Sequence, residues 1–214
     1  MKIAVCYNGI LGRDANSRQN FFNNNEFISF QYPNCDVFCH SWTEDPEVKD
    51  IITNKLKPTE TLFEAQIPFK VPELQGKDWA ELDRITKNDN YFHFNQISSA
   101  YSVKQVLQLK KKYEDTHGFK YDIVILSRYD ISIKLGPLDP ILPDLHKIIY
   151  IQAGKREAPK PNEIIQRAKD YFFLSTSENM DKYSTLYDKI IGEYRYIKGL
   201  YHNGRFCPHL FKPY

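Results

Sequence analysis

The chain has 214 residues, 42 % of them hydrophobic and 14 % aromatic, which suits one core-forming domain spanning residues 1–214. A formal net charge of +2 provides no broad field for nucleic acid or a membrane surface. No apolar run is long enough to span a bilayer, and Met1-Lys2 leads straight into a strand without a signal-peptide pattern, so a cytoplasmic setting with reduced thiols is expected.

Residues 2–7 predict a first strand, Ile3-Ala4-Val5-Cys6-Tyr7. The turn after it, Asn8-Gly9-Ile10-Leu11-Gly12-Arg13-Asp14, feeds a helix beginning near Ser17. Strand, glycine-bearing turn and helix make a nucleotide-binding opening, because glycine lets a backbone approach a ligand and a helix start favours anions. Neither the dinucleotide GxGxxG pattern nor the GxxxxGK[ST] loop is present. Arg13 is a candidate phosphate contact, weighed evenly against a solvated helix-start charge. Phe21, Phe22, Phe27 and Ile28 are expected in the core.

A second strand is predicted at Asp36-Val37-Phe38-Cys39-His40-Ser41-Trp42. Its end places Ser41 and Trp42 on the same rim as Asn8 and Gly9, where Ser41 can meet a base or sugar edge. Burial is the stronger expectation for Trp42. The four cysteines, 6, 35, 39 and 207, have no CxxC spacing, and Cys39 and His40 point to opposite faces of a strand, which argues against a zinc site. A surface helix is expected over 44–57, a third, edge strand over 59–66, and an irregular excursion over 67–90. Residues 91–116 carry the clearest helical periodicity, with Gly118 as its stop and Lys110, Lys111 and Lys112 read as last-turn charges that complement the helix dipole. Gln96, Ser99 and Lys104 are polar positions in its first half, and Gln96 is carried forward as a ligand contact.

Tyr121 to Ile133 opens as a continuous β-branched run, the pattern of a strand buried on both faces. Ser127, Arg128, Tyr129 and Asp130 then interrupt it. In open α/β sheets ligands bind at the carboxyl ends of the strands, so this polar knot marks a site. Asp130 can hold a divalent cation through hard oxygen contacts, and Arg128 can help neutralise a diphosphate. A bare Arg128–Asp130 salt bridge is the alternative. A turn at 136–140, a strand at 148–151, a mobile polar loop at 153–168, a strand at 170–175 and a helix capped by Ser177 follow. The end, from Gly199 on, reads as loop. A second acid or base is needed, and Asp170 and His209 are the candidates.

Taken together, the strands at 2–6, 36–42 and 170–175, the Gln96-to-Ser102 helix segment and the Tyr121-to-Asp130 strand resemble a GT-A glycosyltransferase. They are similar in order to the N-terminal domain of the multidomain enzymes with which chlorella viruses glycosylate their capsid protein. The resemblance covers nearly the whole chain and implies an α/β, Rossmann-type mixed central sheet flanked by helices. It implies a UDP-sugar donor, Mn²⁺ or Mg²⁺, a glycan or glycoprotein acceptor, and further domains in a longer native chain. It maps the last acid of the family's metal motif onto Asp130, with His209 as a further metal ligand. Arg128 stands where the motif's first aspartate would be. The competing expectation is a non-catalytic nucleotide-sugar or glycan-binding module.

Overall fold

The computed structural model describes residues 1–11, 18, 19, 21, 23, 27–69, 92–129, 137–146, 149–152, 168–192, 201, 202, 205 and 206. Their strands are β1 (Ile3–Gly9), β2 (Asp36–Trp42), β3 (Glu60–Glu64), β4 (Ile123–Arg128), β5 (Ile149–Gln152) and β6 (Ala168–Ser175), with a small hairpin of β7 (Tyr201–His202) and β8 (Arg205–Phe206). The helices are α1 (Ile28–Gln31), α2 (Pro46–Leu56), α3 (Phe92–His117), α4 (Ser177–Ser184) and α5 (Leu186–Gly192). The six long strands form one sheet in the order β3-β2-β1-β4-β6-β5. β1 to β4 run parallel, and β6 runs antiparallel to both β4 and β5. The fold is thus α/β with a mixed, Rossmann-like sheet flanked by helices.

Alternation along the central strands divides the core in two. Ile3, Val5 and Tyr7 of β1, with Ile123 and Ile125 of β4, pack on one face against Phe21, Phe27 and the α2 residues Val48, Ile52 and Leu56. Ala4 and Cys6, with Val124 and Leu126, face the other way onto Val103, Val106 and Leu107 of α3 and Met180 of α4. A strand covered on both faces must be apolar at every position, and β4 is buried from Ile123 through Ser127. Cys39 and His40 do point to opposite faces: Cys39 lies in the first core, and the His40 ring reaches Ser102 of α3.

Local chemistry sets the element ends. Asp45 caps α2 by accepting from the Glu47 N–H at 3.0 Å, Pro46 opens the helix, and Lys57 closes it at φ 46°. Gly118 ends α3 at φ 67°, a conformation that glycine adopts without strain.

Several details differ from the sequence expectation. β1 runs on to Gly9, so Asn8 and Gly9 belong to the strand's end and not to a turn. Thr176 rather than Ser177 is the N-cap of α4, its hydroxyl accepting from the Asn179 N–H at 3.3 Å. The expected single C-terminal helix is two, α4 and α5. The turn near 136–140 leads into a 3-10 helix at Asp139–Asp144, and the segment after Gly199 contains the β7–β8 hairpin. Lys110, read as an exposed charge at the end of α3, is fully buried. Most of the excursion at 67–90 and of the loop at 153–168, and the resumed alternation at 131–133, lie outside the described residues.

Candidate functional site

In the order β3-β2-β1-β4 the chain moves outward from β1 to β2 and β3, then crosses back to place β4 on the other side of β1. The connections leaving β1 and β4 therefore diverge, and the crevice between their carboxyl ends is the position where open α/β sheets receive ligands. Register brings the predicted residues to this rim. Asn8 lies opposite Arg128 on β4 and His40 on β2, and Gly9 lies opposite Ser41.

Each group there is held in a definite way. The Asn8 side-chain amide donates to the Ser127 carbonyl at 3.3 Å, tying β1 to β4. Gly9 has φ 114°, and a Cβ built on it would meet nothing within 4 Å, so glycine serves the backbone conformation and not the space. Arg128 is half-buried at the end of β4. Tyr129 turns inward: it is buried, stacks on Tyr7 at 5.9 Å between ring centroids, and donates its hydroxyl to the His40 carbonyl at 3.1 Å. Burial and its proximity to Cys39 push the Tyr129 phenol well above its usual range, so it stays a neutral donor.

Two polar atoms at the end of β2 have no such partner. Among the described residues the Ser41 hydroxyl and the Trp42 indole N–H are the buried side-chain polar groups without a hydrogen bond. Ser41 is fully enclosed, and Trp42 is buried as expected, stacked on Tyr101 at 5.0 Å and edge-on to His40 at 4.9 Å. A buried unpaired hydroxyl or indole costs roughly 1–3 kcal/mol. An orphan of this kind fits a site whose polar partner arrives with a ligand; adjacent on a strand, Ser41 and Trp42 point to opposite faces of the sheet, so a ribose hydroxyl or a base edge would meet one of them and not both.

Behind the rim runs a chain of hydrogen bonds that sequence reasoning missed. Glu64, the last residue of β3, meets His40 Nε2 at 2.9 Å; His40 Nδ1 meets Ser102 Oγ at 2.6 Å; Ser102 Oγ accepts from the Gly9 N–H at 2.9 Å. Tyr101 donates to the other Glu64 oxygen at 3.4 Å. His40 and Ser102 are fully buried. Burial lowers the His40 pKa, and the Glu64 carboxylate opposes that shift only in part. The available sequence signal was spacing. Ser98, Ser102, Val106, Lys110 and Glu114 recur at every fourth residue of α3, and all are buried. Polar residues on such a stripe must be hydrogen-bonded inward.

Asp170 sits in the first half of β6. Because β6 is antiparallel to β4, with Ser127 opposite Phe172, this half lies at the carboxyl end of β4, on the candidate rim. Gln96 lies in the first turns of α3. Arg13, Asp130 and His209 fall outside the described residues, and so does any metal site they form. Among the described residues no three His, Cys, Asp or Glu side chains cluster as a metal site, and no helix is long and apolar enough to cross a membrane. Lys104 pairs with Asp188 of α5, which gives it a structural use.

No family model matches the chain, and no curated protein matches it either.

Proposed function

We propose that the chain is a GT-A-type glycosyltransferase that binds a UDP-sugar at the carboxyl ends of β1, β2 and β4 and moves the sugar to a glycan acceptor. The observation that carries this reading is the topological switch point between β1 and β4. It joins a glycine-ended strand, a half-buried arginine and the enclosed, unpartnered Ser41 hydroxyl at one rim. The carboxyl ends of parallel strands suit a diphosphate, and an aromatic, orphan-bearing β2 end suits a nucleoside.

In this reading Asp130, two residues beyond Arg128, holds Mn²⁺ or Mg²⁺ with help from His209. The cation supplies charge neutralisation on the departing diphosphate. The protein's own groups do the rest. Arg128 adds positive charge beside the same phosphates, Gly9 allows close backbone approach, and Ser41 and Gln96 orient the nucleoside. Asp170, in the half of β6 that lies at the carboxyl end of β4, is the group that takes the acceptor's proton in this reading.

The test is release of UDP from a panel of UDP-sugars with Mn²⁺. Slow turnover by the wild type, lost in Asp130→Ala, is the expected result. Binding of UDP-sugar without cleavage, even with acceptor glycans present, would overturn the transferase and leave a nucleotide-sugar-binding module. A ligand-dependent rise in melting temperature reports the binding separately from turnover.

A further inference from the structure

The hydrogen bonds behind the rim have a direction that the donors and acceptors fix. The Glu64 carboxylate only accepts, so His40 Nε2 carries a proton toward it. A neutral imidazole then has Nδ1 as an acceptor, so the Ser102 hydroxyl donates to it. That orientation leaves a Ser102 lone pair facing the Gly9 N–H. One arrangement of protons satisfies every member, and it ends on the backbone of the residue with φ 114° at the tip of β1.

We infer that Glu64, His40 and Ser102 are positioning residues which fix the tip of β1 for ligand binding and make that binding depend on the protonation of His40. The inference rests on the crevice between β1 and β4 being the nucleotide site. When His40 takes a second proton, both ring nitrogens donate. The Ser102 hydroxyl must then turn away from Nδ1 to seek another acceptor, for which a helical serine can use the carbonyl one turn back. Its oxygen is left to accept from both the imidazolium and Gly9, and the hold on Gly9 changes.

Among the described residues the titratable groups facing His40 are few. β3 contributes Glu64 and α3 contributes Tyr101, whose far side touches Tyr187 of α5 at 5.2 Å. β1 presents the neutral Asn8 in register beside it, and β2 itself the Trp42 ring. Burial favours the neutral imidazole, so the relay holds its closed arrangement at neutral pH and opens on acidification.

The test follows the Gly9 amide and the His40 ring by NMR in the ligand-free protein across pH, and UDP affinity with Mn²⁺ by calorimetry. The wild type is compared with Glu64→Gln and Ser102→Ala. The Gly9 amide is expected to titrate with the same midpoint as His40. In Glu64→Gln, which keeps an acceptor but removes the charge that favours imidazolium, both midpoints move to lower pH together. In Ser102→Ala, His40 still titrates while Gly9 no longer follows. UDP affinity falls roughly tenfold on wild-type protonation, an ordinary coupling strength, and loses this His40-linked component in Ser102→Ala. UDP's own phosphate titrates near pH 6 and is common to all three proteins, so the difference between them is the readout. A Gly9 amide that ignores His40 in the wild type, or an unchanged pH profile in Ser102→Ala, would overturn the inference. If UDP binds none of the proteins while Gly9 still follows His40, the relay stands and the nucleotide site does not.

Discussion

The two ends of α3 carry polar clusters of similar make-up and opposite character. At the amino ends of the strands Lys110 donates to Glu114 at 3.0 Å, to Ser177 at 2.6 Å and to Asp181 at 2.7 Å. Glu114 also accepts from Ser177 at 2.6 Å and from the Tyr121 N–H at 2.8 Å, while Lys120 reaches it from outside at 3.1 Å. Every group there has its partner within the chain, and the cluster clamps α3 to α4 and to the start of β4. At the carboxyl ends the Glu64–His40–Ser102 chain ends on backbone at the rim, next to a hydroxyl and an indole N–H with no hydrogen-bond partner among the described residues. One stripe of α3 supplies both clusters, with Ser102 for one and Lys110 and Glu114 for the other. A saturated network closes a structure; one with buried groups left unpaired has room for a further hydrogen-bond partner.

The largest effect should come from breaking the saturated end. Lys110→Met leaves Glu114 and Asp181 facing each other without their cation, and loss of one partner from a buried pair costs about 3–5 kcal/mol. Lys120 lies within reach of both acids, which favours the lower figure. Urea denaturation checks it: a loss under about 1 kcal/mol would show the clamp to be ornamental. Replacing Glu114 with leucine in the same chain should not restore stability, because the Tyr121 N–H then loses its acceptor.

Acid should separate the ends. Burial raises the Glu114 pKa, but hydrogen bonds from Ser177, Tyr121 and Lys110 outweigh it and leave the group below its usual 4.5. A lowered carboxyl contributes stability above 4.5 that is lost as pH falls through the folded value. His40 is likewise lowered, from 6.5, so the unfolded chain binds its proton first and stability drains as pH falls below 6.5. The carboxyl end should therefore loosen before the amino end. Amide exchange along α3 measures this: faster exchange near Ser102 than near Lys110 at mildly acid pH is the expected pattern, and uniform loss would erase the contrast.

How much of this was legible in the sequence depends on the distance over which the cause acts. β2, α2 and the buried run of β4 were readable because periodicity and caps are local signals. The Gly118 stop needed only its neighbours. The mixed sheet was expected on resemblance, whereas the direction of β6, which carries Asp170 to the rim, depends on pairing across 45 residues or more. Lys110 was misread because a lysine in a last turn has a ready solvent explanation; its burial follows from Asp181, Ser177 and Glu114 converging after folding. The relay joins positions 9, 40, 64 and 102, on four different elements, and its bonded members lie 24, 62 and 93 residues apart.

A moderate effect is expected at the junction of the relay with the rim. Ser102→Ala removes a hydroxyl that serves both His40 and Gly9, and two buried groups lose a partner. About 1–3 kcal/mol of stability should go with it. This is smaller than the loss for Lys110→Met, because no charge is stranded.

The smallest change in stability is the one that most sharpens the contrast. Ser41→Ala deletes a fully enclosed hydroxyl that has no hydrogen-bond partner among the described residues. Nothing in the folded chain is lost beyond a few van der Waals contacts, and the desolvation penalty of the hydroxyl disappears. The melting temperature of the ligand-free protein should hold or rise, with a gain of up to about 1 kcal/mol. UDP affinity should fall by about tenfold, the worth of one hydrogen bond of about 1.4 kcal/mol made in a closed site. A group kept at a cost in the empty protein and used in the occupied one is the mark of a binding site. If Ser41→Ala instead destabilises the ligand-free chain by more than about 1 kcal/mol and leaves UDP affinity unchanged, the hydroxyl has a structural partner and the two ends of α3 are alike.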